Sequence, residues 1–256
     1  MTLKLPPEIL YEKRGHIAIM TFNRPEKRNA CTPEMHEALE AAFADFNEDP
    51  DLWVAILTGA GDKAWCAGGD LEAMIPKITA GEMKINPDPT KRIWHDLYKP
   101  IIAAVNGFAS LEWVIATDLR IAAEHATFAL GEVRWGMIPA GGSHIRLPRQ
   151  IPWAVAMECL ILGTRIDARR AYDIGLVNRV VPLADLMPAA LEMAEMLCKN
   201  GPLAVRTAKE IAVRSLGLEA GFVLEHLLFQ RVMNSEDAKE GPRAYAEGRT
   251  PQFRGR

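Results

Sequence analysis

Cysteine is scarce. The 256 residues hold four, Cys31, Cys66, Cys159 and Cys198, too far apart for a CxxC pair or a zinc-ligand spacing. No apolar run approaches the roughly 18 residues that a membrane span needs, and Met1–Pro7 lacks the long apolar core of a signal peptide. Charge of one sign is not in excess either: 30 Lys and Arg face 33 Asp and Glu, a formal net charge of −3. That balance excludes general nucleic-acid binding, where clustered positive charge supplies most of the affinity. These absences lead us to expect a reduced, cytoplasmic protein with neither a membrane nor a nucleic acid as partner. What is present is ordinary: 49% hydrophobic and 25% charged residues. A single core of this size buries roughly three quarters of the unfolded chain's surface, so no disulfide or metal is required to hold it.

The pattern alternates strand and helix over the first 140 residues. Ile9–Arg14 and His16–Phe22 are short β-rich runs meeting at Arg14-Gly15, a hairpin signal. Thr32 is placed to cap a helix with Pro33 at its first position, and Met35, Leu39, Phe43 and Phe46 recur at helical spacing through residues 33–48. Trp53–Thr58 and Ile101–Val105 are continuous apolar runs, the mark of strands covered on both faces. Leu119–Ala122 and Thr127–Leu130 are further strand candidates. From Pro152 the character is helical, over 152–162, 167–174, 183–199, 203–216 and 218–233, with Val177–Val181 the one strand candidate. The expected class is α/β with a largely parallel sheet and a helical C-terminal region. Residues 76–92, rich in Pro and mixed charge, are expected to form a mobile surface segment, and the stretch 76–95 part of a pocket wall.

Several motifs invite chemistry. Gly59-Ala60-Gly61-Asp62-Lys63-Ala64 fits the G-x-G-x-x-A dinucleotide fingerprint, but Trp65-Cys66-Ala67-Gly68-Gly69 follows at once and is poor helix material, so a tight turn is favoured. Cys66 has no identifiable base and fits better as a buried small hydrophobe. The six histidines stand singly, without metal-ligand spacing; His144, in Ala140-Gly141-Gly142-Ser143-His144, draws attention, although such residues commonly only border a helix. Ala67-Gly68-Gly69-Asp70-Leu71 follows a strand and precedes a helix starting near Asp70, where backbone amides are free to donate. Glu112, in Leu111-Glu112-Trp113-Val114, and Glu132, twenty residues on in Leu130-Gly131-Glu132-Val133, are carboxylates among apolar neighbours. Such groups suit general acid/base work beside an oxyanion site, though an isolated glutamate in either setting is more often structural and spacing alone does not bring the two together.

Taken together, these residues resemble the crotonase, or enoyl-CoA hydratase/isomerase, superfamily. The resemblance is carried by Asn23-Arg24-Pro25 with Asn29-Ala30, by Trp65 to Leu71, by Lys99 to Gly107, by Asp118 to Ala122, by Phe128 to Val133 with Gly136-Met137-Ile138-Pro139, by Arg146-Leu147-Pro148, and by Ser235-Glu236-Asp237 with Glu240-Gly241 and Phe253. It implies repeated ββα units (a ClpP/crotonase-like fold) over 1–195, a helical trimerisation region over 196–256, and a homo-oligomer, trimer or hexamer. It also implies an acyl-CoA substrate and no cofactor or metal beyond the CoA of that substrate. By the same resemblance Glu112 and Glu132 are the catalytic pair of a 2-enoyl-CoA hydratase: Glu132 exchanges the Cα proton and Glu112 activates the water added at Cβ. Ala67 falls at one oxyanion donor; Gly68, Gly69, Asp70 and Leu71 line the acyl-CoA channel; Arg28, Ala30 and Phe229 fall at CoA contacts. The chain departs from the family at one place. The usual N-G-x-A-x-G-G-G-x-E is three residues short in Asn106-Gly107-Phe108-Ala109-Ser110-Leu111-Glu112. Counting back from Glu112 puts Ala109 at the second oxyanion donor. The alternatives are another reaction of the family, an enoyl-CoA isomerase or a carnitinyl-CoA-type dehydratase (the stretch Ser235–Gly248 resembles the latter), or a catalytically weak acyl-CoA-binding protein.

Overall fold

The structure, a computed structural model, describes residues 3–80 and 93–254. The hairpin forms as expected from β1 (Ile9–Arg14) and β2 (Ile17–Phe22), with Arg14 opposite Ile17. The remaining strands are β3 (Val54–Gly59), β4 (Ala64–Cys66), β5 (Ile101–Val105), β6 (Phe108–Ser110), β7 (Leu119–Ala123), β8 (Thr127–Ala129), β9 (Ile166–Asp167) and β10 (Arg179–Val181). The helices are α1 (Pro33–Glu48), α2 (Leu71–Thr79), α3 (Leu111–Val114), α4 (Ser143–Gln150), α5 (Trp153–Leu162), α6 (Ala168–Asp173), α7 (Leu186–Cys198), α8 (Pro202–Ser215), α9 (Glu219–Met233) and α10 (Glu236–Ala246).

Two sheets result. The larger runs β1-β2-β3-β5-β7-β10 and is parallel from β2 onward. The smaller runs β4-β6-β8-β9, with β4, β6 and β8 parallel. Alternation along the long strands divides their side chains between two cores. Ala55, Leu57, Ala103 and Val105 join Met35, Leu39, Phe43 and Phe46 of α1 and Trp65, Ala109 and Phe128 of the small sheet. Val54, Ile56, Ile102 and Ala104 meet Leu186, Ala190, Met193 and Ala194 of α7. Burial on both faces is why these strands have continuous apolar sequences. The expected cap of α1 is present, with the Thr32 hydroxyl accepting from Met35 N at 3.3 Å.

Each long strand is followed by a short one in the other sheet: β3 by β4, β5 by β6, β7 by β8. This is the ββα repetition that the resemblance implies. The short strands have three residues each, too few for a periodic signal, and β4, β6 and β9 were not legible beforehand. The fingerprint-like Gly59–Ala64 opens no helix; it turns the chain from β3 into β4. The expected boundary between 195 and 196 falls inside α7, whose inward face covers the large sheet.

The C-terminal helices return to the small sheet's end of the molecule. Leu218 and Phe222 at the start of α9 pack on Ile145 of α4. α10 crosses the 3-10 turn Glu132–Trp135 so closely that a Cβ at Gly241 would lie 1.7 Å from the Trp135 carbonyl oxygen, which only glycine permits. No helix among the described residues is long and apolar enough to cross a membrane.

Candidate active site

Because β4, β6 and β8 are parallel neighbours, their carboxyl ends emerge side by side, and ligands of parallel sheets gather at such ends. β4 delivers Ala67-Gly68-Gly69-Asp70, β6 runs directly into α3 and Glu112, and β8 leads through Leu130-Gly131 into the turn headed by Glu132. The twenty residues from Glu112 to Glu132 therefore make one circuit through both sheets and return one strand over. Separation in sequence becomes adjacency in space, and the charge of Glu132 is felt at Glu112.

Glu112 is fixed by the loop ahead of α4. Its Oε1 accepts from the Gly141 backbone N–H at 2.5 Å, and the Ser143 hydroxyl lies 3.5 Å away. A Cβ at Gly141 would stand 2.6 Å from the Glu112 carboxyl carbon, so the clamp depends on glycine. Burial raises the Glu112 carboxyl well above the usual carboxylate range, and repulsion from Glu132 and Glu225 adds to this against the Gly141 amide and Arg146. Burial likewise raises Glu132, opposed by its own backbone amide, by the charge of His144 and by Gly131. The Glu132 Oε2 atom is shut off from solvent and has no hydrogen-bond partner. A buried carboxylate oxygen without a donor is costly, and the charge of Glu132 further disfavours ionisation of Glu112.

The loop beside this pair is tied down in advance. Asn29, fully buried, donates through Nδ2 to the carbonyls of Ala60 at 3.0 Å and Ala64 at 2.7 Å, while its Oδ1 accepts from Arg24 N at 2.8 Å. The Arg24 guanidinium ion-pairs with Asp70. Burial acts to raise the Asp70 carboxyl, but Arg24 and the amides at the start of α2 outweigh it and hold Asp70 below the usual range. Its stabilising effect is therefore present at neutral pH and lost as pH falls through that lowered value. Asp70→Asn is expected to cost about 1.5–3 kcal/mol near neutral pH and progressively less in acid, measured as melting temperature against pH. An equal cost at every pH would show that the ion pair is not its source.

The other expected site residues distribute as follows. The Ala67 N–H donates to the Arg28 carbonyl at 3.1 Å, so this donor is engaged within the chain. Gly68 abuts Ser110 at the β6–α3 junction, with an added Cβ 3.5 Å from the Ser110 Cβ. Ala109 is buried in β6 between β4 and β8. Leu71 begins α2, and Asp70 N bonds back to the Cys31 carbonyl at 2.8 Å. Arg28 is exposed in the left-handed backbone region, with Ala30 half-buried beyond it. Phe229 is 3% exposed on α9. Within the expected wall 76–95, residues 81–92 lie outside the described residues. Cys66 is fully buried and its thiol is pushed up to about 12, as suits an inert core residue. Among the described residues no three His, Cys, Asp or Glu side chains gather to hold a metal ion. Two participants escaped the sequence reading. Gly141 was visible only as part of a glycine pair, and Glu225 resembled any glutamate on a helix surface.

Comparison with known proteins places these features in context. The sequence profile of the enoyl-CoA hydratase/isomerase family matches residues 12–256. The enoyl-CoA hydratase EchA19 of Mycobacterium tuberculosis is 40% identical over 267 aligned positions, covering 100% of this chain and 99% of that protein. The carnitinyl-CoA dehydratase of Salmonella typhi is also 40% identical, over 257 positions covering 95% of this chain and 97% of the relative. The crystal structure of a carnitinyl-CoA hydratase from Mycobacterium avium superposes with a TM-score of 0.87 at 35% identity, over 98% of this chain and all of that one.

Proposed function

Since the chain belongs to the enoyl-CoA hydratase/isomerase family, we propose that it adds water reversibly across the Cα=Cβ bond of a 2-enoyl-CoA. The thioester oxygen would enter at the end of β4, toward the backbone amide of Ala67, with the Ala67 N–H shared with or released from its 3.1 Å contact to Arg28. Ala109, the second expected donor, sits in β6 between β4 and β8, and because Phe108 N turns to the β4 side its own amide faces β8. Ionised Glu112 takes a proton from water as the water oxygen bonds Cβ. The π electrons move onto the thioester as an enolate, and protonated Glu132 delivers its proton to Cα. The proton gained at Glu112 then returns to Glu132, so water is consumed and the pair is regenerated. The reading is carried by two observations: Glu112 is clamped by Gly141, and Glu132, whose charge acts on Glu112, has a buried oxygen without a partner. Arg28, Ala30 and the Gly68–Leu71 loop are proposed to contact the CoA portion, with no further cofactor or metal.

Crotonyl-CoA hydration, followed as loss of the conjugated-enoyl absorbance, tests this. Turnover is expected to yield the 3-hydroxyacyl thioester. Binding of CoA esters without turnover would favour the weak-binder reading, which the engaged Ala67 N–H and the short glycine run support. The reverse reaction, dehydration of a carnitinyl-CoA-like hydroxyacyl thioester, is the second reading. It is favoured by the equal identity, 40%, to a hydratase and to a carnitinyl-CoA dehydratase.

The chain is further proposed to work as a homo-oligomer, a trimer or a dimer of trimers. Leu203 and Ile211 on α8 and Leu224, Leu227 and Leu228 on α9 are exposed, apolar area that a second copy would cover. Light scattering is expected to give three or six times the 28.3 kDa chain mass; a species of one chain mass would contradict it.

A further inference from the structure

The clamp on Glu112 is made by a segment with little intrinsic shape. Gly141 and Gly142 stand together ahead of α4, with Gly142 in the left-handed region at φ 98°, and successive glycines have the widest backbone freedom of any pair. The 2.5 Å bond from Gly141 N to Glu112 Oε1 requires that freedom to be removed.

Arg146 removes it by direct contact. Its backbone N–H donates to the Gly142 carbonyl at 2.9 Å. Its side chain, as on any helix, leans toward the N-terminus over the preceding turn. There Nη1 donates to the Gly141 carbonyl at 3.4 Å and Nη2 to the Ile93 carbonyl at 2.7 Å. One residue thus holds the carbonyls of both glycines. Arg146 is buried, and its guanidinium lies over the ring of Phe222 on α9, 5.5 Å from the centroid. Ile93 closes the opposite side, its Cδ1 2.8 Å from where a Gly141 Cβ would stand. Trp94, the next residue, has φ 51°, a conformation that a bulky side chain adopts only where its surroundings impose it. Residues 93–94, the glycine pair and α9 therefore meet on one guanidinium.

We propose that Arg146 is a positioning residue for the reaction: it fixes the Gly141–Gly142 segment so that the Gly141 N–H meets Glu112. This rests on Glu112 being the base proposed above. The role belongs to the shape of the guanidinium rather than to its charge. A planar fork reaches carbonyls on two segments while its face lies on a ring, whereas an ammonium donates from a single nitrogen.

Arg146→Lys, which keeps the charge, is therefore expected to lower kcat for enoyl-CoA hydration by about 10–10²-fold, with KM within about twofold of the parent. The clamp itself is read by NMR on the whole protein with nitrogen-15 in its glycines, the Gly141 amide being the signal lost in Gly141→Ala. Its proton, bonded to a carboxylate, is expected downfield in the parent and further upfield in Glu112→Gln. Arg146→Lys is expected to move it the same way, while the signals of Gly59 and Gly107, packed at the β3–β4 turn, stay in place. Phe222→Leu is a milder second variant, since it removes only the ring beneath the guanidinium. It is expected to lower kcat about 2–5-fold and to move the Gly141 amide in the same direction; should Arg146→Lys not fold, this variant decides alone. A Gly141 amide unmoved in the folded variants, or an Arg146→Lys kcat within about twofold of the parent, would overturn the proposal. Activity lost together with displaced Gly59 and Gly107 signals would overturn it too, reducing Arg146 to a packing residue. If the Gly141 amide moves as expected but the parent does not hydrate enoyl-CoA, the hold on the clamp stands and the hydratase reading falls.

Discussion

Glu132→Gln is expected to lower the rate of enoyl-CoA hydration by about 10²–10⁴-fold, the usual contribution of a positioned acid/base group, while CoA-ester binding stays within a fewfold. Glutamine fills the same volume but neither gives nor takes the Cα proton. The same change is expected to stabilise the fold, because Glu132 Oε2 is a buried acceptor without a donor. The sign with pH follows from the raised carboxyl. The folded state retains the Glu132 proton at pH values where the unfolded chain has lost it, so stability falls as pH rises through the raised value. The gain in melting temperature for Glu132→Gln is accordingly expected to be larger at alkaline than at acidic pH. A variant that is less active yet more stable marks a group kept for chemistry rather than for folding. Unchanged turnover would remove Glu132 from the mechanism, and a lowered melting temperature would mean that its carboxylate is paired in solution.

Gly141→Ala is expected to have the second largest effect, and for a steric reason. The added methyl carbon would sit 2.6 Å from Glu112 Cδ, 2.7 Å from Cγ and 2.8 Å from Ile93 Cδ1, contacts that force the Glu112 side chain off the Gly141 amide. A displacement of about 1 Å at a reacting group costs on the order of 10²-fold in rate, and the overpacking costs about 1–3 kcal/mol. The loss is expected in kcat with KM little changed, because the proposed CoA contacts lie on the other side of the site, in the loop joined by Arg24, Asn29 and Asp70. A kcat within twofold of the parent would show that Glu112 does not depend on this clamp.

Much of the scaffold was legible because its causes are local. Thr32-Pro33 and the Met35, Leu39, Phe43, Phe46 stripe specify α1, and the apolar runs Trp53–Thr58 and Ile101–Val105 specify strands covered on both faces, observed as β3 and β5. The site was legible only in part, because its causes are not local. That the charge of Glu132 reaches Glu112 follows from β6 lying beside β8, and β6, three residues long, gives no periodic signal. Glu225 reaches the site only through the packing of α9 on α4, 81 residues from His144. Some recognisable stretches prove structural. Asp118 accepts from Ile101 N and pairs with Lys209, each at 2.7 Å, and Arg120 is bonded to Thr117, Gln150 and the Leu176 carbonyl. Those residues fix β7 and its neighbours. The proposed oxyanion site is where the resemblance and the geometry part: the glycine run is three residues shorter than the family's, and the Ala67 N–H is engaged by Arg28.

Glu112 and Glu132, at the ends of β6 and β8, are proposed to add the elements of water to Cα and Cβ. Isotope incorporation tests it most directly. The purified protein is incubated with crotonyl-CoA in water enriched in both oxygen-18 and deuterium, and the thioester is read by mass spectrometry. The expected product carries one oxygen-18 at Cβ and one deuterium at Cα, and neither label enters when Glu112→Gln and Glu132→Gln are combined. Deuterium entering the acyl chain without oxygen-18 would contradict water addition and assign the pair to proton transfer alone.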